Sequence, residues 1–417
     1  MRVLVYPHDL NVGGSQLGAI ELCGAMARLG HEVVVYGQPG PLVEQVRALG
    51  LEFLSSPAVH QRPTPTVVAH LARTLRRRHV DVVHGYEWPP VLESWLACLG
   101  GGGPVAVATV LSMSVAPFIP RQVPIAVGTA QIAAAERRFG RQSVTLLEPP
   151  VDAEANTPGL TDVDVTGFRL SHGIAPNIPT VSIVSRLARE MKLEGILTAI
   201  AAVEALNERT PVQLVITGDG PGRSDVCNRV ERANARIGSR RVIWTGELVD
   251  PRPAYATGDV LLGMGGSALR SMAFEKPLIV QGEKGYWRML TPESLPEFLW
   301  QGWYGVGPGT DGAVDRLVGQ LRSLLEDRAR AEDLGGFARG VVLDRFSLDR
   351  VASRQIDFYR KALASRRSGF AVPGETVVAG ARFVAHQARR VNARRRGRST
   401  VDDFNATPVA AVSERSS

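Results

Sequence analysis

Apolar residues in this chain fall into short runs, separated by longer stretches in which they recur every three or four positions. Val181 and Ile183 alternate with smaller or polar neighbours up to Arg186, the mark of a buried strand. From Leu193 the apolar positions Ile196, Leu197, Ile200, Val203 and Leu206 switch to helical spacing. A second apolar run from Val212 to Ile216 ends in Gly218-Asp219-Gly220-Pro221. The pattern predicts a βαβ unit over 180–221 with a polar loop at the carboxyl end of each strand.

The same rhythm runs through most of the chain. Strands are expected at 2–6, 32–36, 51–54, 80–84, 105–110, 124–127 and 144–147, and again at 241–245, 259–262 and 277–280, with 302–306 as the last. Helical patterns lie between them, which implies parallel sheets covered on both faces. A Pro-, Gly- and Asp-rich stretch reads as a linker. The expected organisation is an N-terminal Rossmann-like domain over 1–155, a linker over 156–178 and a C-terminal Rossmann-like domain over 179–346. A helix over 347–365 follows, then a basic, partly disordered tail over 366–417.

Composition narrows the class. A chain of 417 residues holds two domains that each bury a core, and 44% hydrophobic with 21% charged residues suits a soluble globular protein. Cys23, Cys98 and Cys227 are too few and too scattered for a disulfide framework or a zinc set, so a reducing, cytoplasmic setting is expected. The N-terminus runs straight into a strand, so no signal peptide is expected, and no apolar run approaches the roughly 18–20 residues a bilayer span needs. The net charge of +7 is local: residues 366–417 hold ten Arg against four Asp/Glu, and only four of the 48 basic residues are Lys. Nucleic acid is therefore not an expected partner. Val377, Ala381, Val384, Ala388 and Val391 share one helical face, with Arg389, Arg390 and Arg394 to Arg396 at its end. That pattern suits a solvated tail, or a helix that makes weak membrane-surface contact through 375–396 or binds a partner.

Candidate chemistry gathers at the carboxyl ends of the expected strands, where open parallel sheets take their ligands. Arg186 and Lys192 flank the loop into the helix of the 180–221 unit, and two cations beside helix-terminal amides suit a diphosphate. Gly13 and Gly14 open the first helix and let backbone N–H groups approach a ligand. There is no GxGxxG fingerprint, which argues against a dinucleotide oxidoreductase.

The run SRLAREMK, then EGILTAI and ITGDGP, resembles the donor half of GT-B glycosyltransferases, in particular glycosyltransferase family 4 (glycosyl transferases group 1). GGSQLGAIELCGAMARLGHEV is similar to that family's N-terminal glycine-rich segment. The resemblance implies two Rossmann-like doubly wound domains facing across a cleft, with Arg186 and Lys192 on the diphosphate of a nucleotide sugar. It places Gly13 and Gly14 opposite them, and Gly218, Asp219 and Gly246 near the base. It also implies a retaining, metal-independent hexosyltransferase without a cofactor, acting on a saccharide, lipid-linked or small-molecule acceptor, cytoplasmic or peripheral at the inner membrane face. After the strand at 259–262, Gly265, Gly266, Ser267 and Arg270 are the expected donor contacts. In this register Leu262 and Arg270 stand where the family carries two Glu residues that grip sugar and ribose. Leu111-Ser112-Met113 stands where relatives carry a His. His8 and Glu87 remain as catalytic candidates, with His84 and Tyr86 nearby. A nucleotide-sugar binder without transferase activity and a sugar-nucleotide epimerase are the alternatives.

Overall fold

Val3, Val5, Val33, Val35, Val82 and Val107 are buried β-branched residues, and they form the centre of a seven-stranded sheet. The computed structural model describes residues 1–11, 13–99, 103–365 and 373–396, so most of the expected loop 100–103 and the tail segments 366–372 and 397–417 lie outside the described residues. The chain divides into two units: Met1–Pro150 with the chain from Leu348 onward, and Val151–Ser347.

In the first unit the strands are β1 (Arg2–Tyr6), β2 (Glu32–Gly37), β3 (Glu52–Ser55), β4 (Val82–Tyr86), β5 (Val105–Val110), β6 (Ile125–Val127) and β7 (Val144–Leu146). Their order is β3-β2-β1-β4-β5-β6-β7 and every pairing is parallel. Helix Leu348–Ala364 belongs to this unit: Val351, Ala352, Ile356 and Tyr359 recur at helical spacing and enter the same core as Ile20 and Met26 of helix Gly14–Arg28.

In the second unit the strands are β8 (Thr180–Val184), β9 (Gln213–Thr217), β10 (Val242–Gly246), β11 (Val260–Gly263), β12 (Leu278–Gln281) and β13 (Trp287–Met289), ordered β10-β9-β8-β11-β12-β13. All pairings are parallel except β12 with β13. The expected strand at 302–306 does not form; only Val306 bridges Glu283, and Trp303 and Tyr304 are buried instead. The last strand is β13, reached through the turn Glu283-Lys284-Gly285-Tyr286. Lys284 and Gly285 both take positive φ (51° and 69°), as a tight hairpin turn requires.

Two expectations for irregular chain meet regular structure. The stretch expected as a linker, 156–178, carries helix Val165–His172, capped where Asp164 Oδ1 accepts from Gly167 N–H at 2.7 Å. Its Phe168, with Ile174, packs on Val215 and Ile243 of the second sheet, so the segment is part of that unit. The tail carries helix Pro373–Arg395. Phe383 lies 5.3 Å from Phe118 and 6.1 Å from Trp88 between ring centroids, and Glu375 pairs with Arg121 at 3.1 Å, which fixes the helix on the first unit. Val377 and Val384 stay exposed on its other face.

Candidate active site

At the carboxyl ends of β8, β9 and β10 the loops are laced together by backbone. Gly218 donates to the Gly246 carbonyl at 2.8 Å, Leu187 donates to the Asp219 carbonyl at 2.9 Å, and Trp244 Nε1 donates to the Gly218 carbonyl at 2.8 Å. Gly218 sits at φ +134°, and a Cβ there would run into the Ser185 carbonyl oxygen, so only glycine fits. Asp219 accepts from its neighbour's amide, Gly220 N–H, at 2.7 Å and from Arg223 at 3.2 Å, while Arg223 lies over the Trp244 ring at 4.8 Å.

This rigid shelf carries the two cations. Arg186 is exposed, and among the described residues no carboxylate pairs with it. Lys192, at the start of helix Leu193–Leu206, is half-buried and reaches across to the Met264 carbonyl, 3.4 Å from its Nζ. Burial, with the Arg186 charge adding to it, pushes the Lys192 ammonium down to about 7. Met264 leads directly into helix Gly266–Ala273, whose N-cap residue Gly265 (φ 60°) offers no side chain to the first-turn amides. Ser267 Oγ bonds the Met264 backbone, N–H and carbonyl both at 3.1 Å. Lys192 and a helix N-terminus with Gly266 and Ser267 in its first turn therefore meet at Met264, and the arrangement suits an anion.

In the first unit Gly13 caps helix Gly14–Arg28 without a side-chain bond, and a Cβ at Gly14 would meet nothing within 4 Å. His8 is half-exposed beside this helix start. Its Nδ1 lies 3.4 Å from Asp9 Oδ2, and Asp9 Oδ1 accepts from Asn11 N–H and Gln16 Nε2. The neighbouring His8 holds the Asp9 carboxyl well below the usual range, so Asp9 is a charged orienter of the imidazole. Glu87 is different. At φ 62° and ψ 166° it occupies backbone space that is essentially glycine's, and its carboxylate accepts from Leu111 N–H (2.9 Å) and Ser112 Oγ (2.6 Å). It ties the β4 and β5 loops together, a positioning role. His84 is fully buried, bonded through Nδ1 to Tyr359 OH (2.6 Å) and through Nε2 to Thr109 Oγ1 (2.7 Å), and burial pushes it down to about 3. Neither His84 nor the buried Tyr86 reaches a ligand surface, which corrects their expected position.

Residues 12–152 match the Glycosyltransferase Family 4 profile, and residues 178–294 match the Glycosyl transferases group 1 profile. A glycosyltransferase from Rickettsia africae superposes with a TM-score of 0.69 at 16% identity, over 88% of this chain and 99% of its own. The chain is a GT-B glycosyltransferase resembling family 4. Anabaena Alr3699/HepE, solved with UDP, superposes on the glycosyltransferase with a TM-score of 0.64 at 16% identity, covering 87% of this chain and all of its own. A GDP-mannose-dependent α-(1-6)-phosphatidylinositol monomannoside mannosyltransferase of Mycobacterium tuberculosis is 24% identical over 402 residues, 88% of this chain and the whole of the relative.

Within the glycosyltransferase the structure gathers Arg186, Lys192, Gly265, Gly266 and Ser267 in the second unit, with the Gly218, Asp219 and Gly246 loops on adjoining strand ends. Leu262 stands where the register puts the first Glu. It is a core residue of β11, 1% exposed, and only Met264 and Gly265 separate that strand from the next helix, so the loop that would present a first Glu is absent. Arg270 lies one turn into that helix and is half-buried; burial raises the Tyr255 hydroxyl, and the Arg270 charge offsets part of that rise. Three residues went unread in the sequence: Asp9, Arg62 and Glu93. Arg62 donates to Tyr6 OH and to the fully buried Glu93, both at 2.7 Å, and to the His8 carbonyl at 3.2 Å. An acid directly after His8 was the visible signal for the first; the other two are joined only by folding.

Proposed function

We propose that the protein transfers a hexosyl group from a nucleotide-diphosphate sugar to a hydroxyl acceptor, with retention and without a metal ion. The observation that carries this reading is the Arg186–Lys192 pair. Two cations stand together, one of them desolvated, and a bound diphosphate relieves the strain of that arrangement. As the bond from the anomeric carbon to the diphosphate oxygen breaks, negative charge grows on the leaving group, and Lys192, Arg186 and the Gly266–Ser267 amides stabilise it there. The acceptor oxygen forms the new bond to the same carbon on the face the diphosphate leaves, and its hydroxyl proton passes to the departing phosphate oxygen. In the first unit, the Asp9-oriented His8 is the candidate to contact the reacting sugar or acceptor. The nucleotide sugars named for the relatives, GDP-mannose for the mycobacterial enzyme and UDP-glucose for HepE, favour a hexose donor. The Gly218–Gly220 and Gly246 backbone is the proposed base-reading surface. Arg270, with N–H donors only, replaces a carboxylate grip on sugar hydroxyls and favours a donor sugar bearing an acceptor-rich or anionic group.

Calorimetry with UDP, GDP, ADP and dTDP tests the reading. One of them binds, and Arg186→Ala or Lys192→Ala weakens it by about tenfold or more, roughly 1.5–3 kcal/mol for a charge-assisted contact. Equal affinity in both variants removes the phosphate assignment. Transfer with the matching sugar persists in EDTA, and the anomeric proton coupling of the product reads the stereochemistry.

A further inference from the structure

The loops at the carboxyl edge of the first sheet and helix Pro373–Arg395 enclose a cavity of about 280 Å³. His60 and Arg62 follow β3, Trp88 follows β4, and Gln387, Arg390 and Val391 come from the helix. The helix is tethered at this edge by Phe383 and His386 against Phe118, by Arg382 over Phe139 at 5.0 Å, and by the Glu375–Arg121 pair. Three of the lining residues are Arg or His and none is acidic. Glu93, the partner of Arg62, is fully buried. Trp88 adds a half-buried indole.

We propose that the C-terminal helix completes a pocket for a phosphate-bearing acceptor. Arg390 and His60 hold the phosphate beside the Glu93-paired Arg62, and the Trp88 ring packs against the sugar or polyol that carries it. The volume lies near the lower end of the roughly 300–1,000 Å³ typical of ligand pockets, which suits a phosphate with one ring. Arg62 also donates to the His8 carbonyl at 3.2 Å, so the pocket wall and the His8–Asp9 loop share one guanidinium. A ligand anchored by its phosphate then presents a hydroxyl towards that loop. The word acceptor rests on the glycosyl-transfer reading; the anion pocket itself does not.

Full-length protein carrying Arg186→Ala and Lys192→Ala, which silences the donor phosphate site, is titrated with glucose 6-phosphate, glucose and monomeric dihexanoyl phosphatidylinositol. The phosphorylated probes bind at least about tenfold more tightly than glucose, and His60→Ala with Arg390→Gln removes that advantage. In the otherwise unaltered chain, the same pair of substitutions leaves nucleoside diphosphate affinity and the melting temperature unchanged and raises the acceptor KM more than it lowers kcat. Preference for the lipid over the sugar phosphate assigns the phosphate to a headgroup, and the reverse assigns it to a soluble acceptor. Phosphorylated probes that bind no better than glucose, or that bind the His60→Ala, Arg390→Gln protein equally well, overturn the pocket. If instead nucleoside diphosphate affinity proves independent of Arg186 and Lys192, the donor reading fails while phosphate binding at His60 and Arg390 stands.

Discussion

Lys192 carries two properties that pull against each other: the proposed diphosphate contact calls for a cation, yet the folded protein makes charging it costly. Its folded value of about 7 lies below the ordinary 10.5, so the unfolded chain binds the extra proton between those two pH values. Stability of the free protein therefore rises with pH across that window, and the penalty is complete below it. In the proposed function a bound diphosphate restores the charge. Binding at pH 8 is thus expected to take up a proton, which calorimetry in buffers of different ionisation enthalpy detects; Lys192→Ala abolishes the uptake. His84 gives the opposite end of the titration. Buried neutral with a value near 3 against an ordinary 6.5, it makes stability fall as pH drops from 6.5 towards 3, and thermal melts over that range show the loss. Gly218→Ala is expected to cost roughly 2 kcal/mol or more in denaturant melts, because its φ and the Ser185 carbonyl both exclude a side chain. The residue types of the proposed donor site stand in the sequence. The depth of Lys192, the strained backbone of Glu87 and the burial of His84 and Leu262 were not, because dihedral angles and desolvation arise only when distant strands meet.

Elements were easier to read than their edges. Valine-rich runs flanked by helical spacing located all seven strands of the first sheet and five of the second. β13 escaped because three residues, Trp287 to Met289, carry no alternation, and its real signal was the Lys284-Gly285 turn ahead of it. Helix Val165–His172 escaped because it is short and buries only Phe168 among its own residues, amid Pro- and Gly-rich chain. Helix Pro373–Arg395 shows its apolar stripe plainly, but Val377 and Val384 of that stripe stay exposed and Phe383 makes the contact with the body. Phe383→Ala is accordingly expected to loosen this helix without unfolding the unit. Limited proteolysis then cleaves between 373 and 396 several-fold faster, while nucleoside diphosphate affinity holds.

At the scale of the whole molecule, the second unit is one uninterrupted stretch, 151–347, and the first is assembled from two. Its core takes Leu348, Val351, Ala352, Ile356 and Tyr359 from helix Leu348–Ala364, and the His84–Tyr359 bond lies inside that seam. No helix of the described residues is long and apolar enough to cross a membrane. A fragment spanning 151–347 is expected to fold and bind nucleoside diphosphate by itself, whereas residues 1–347 retain a folded second unit beside an unstable first one. Two separated transitions in calorimetry of the longer fragment, the lower one insensitive to nucleotide, check this.

That seam orders events during synthesis. The earliest strands leave the ribosome with a greasy slot between β4 and the first helix, and the segment that fills it is translated about 260 residues later. The later-encoded half is thus the first to mature, and the opening half waits, exposed to chaperones and proteases, until its closing helix arrives.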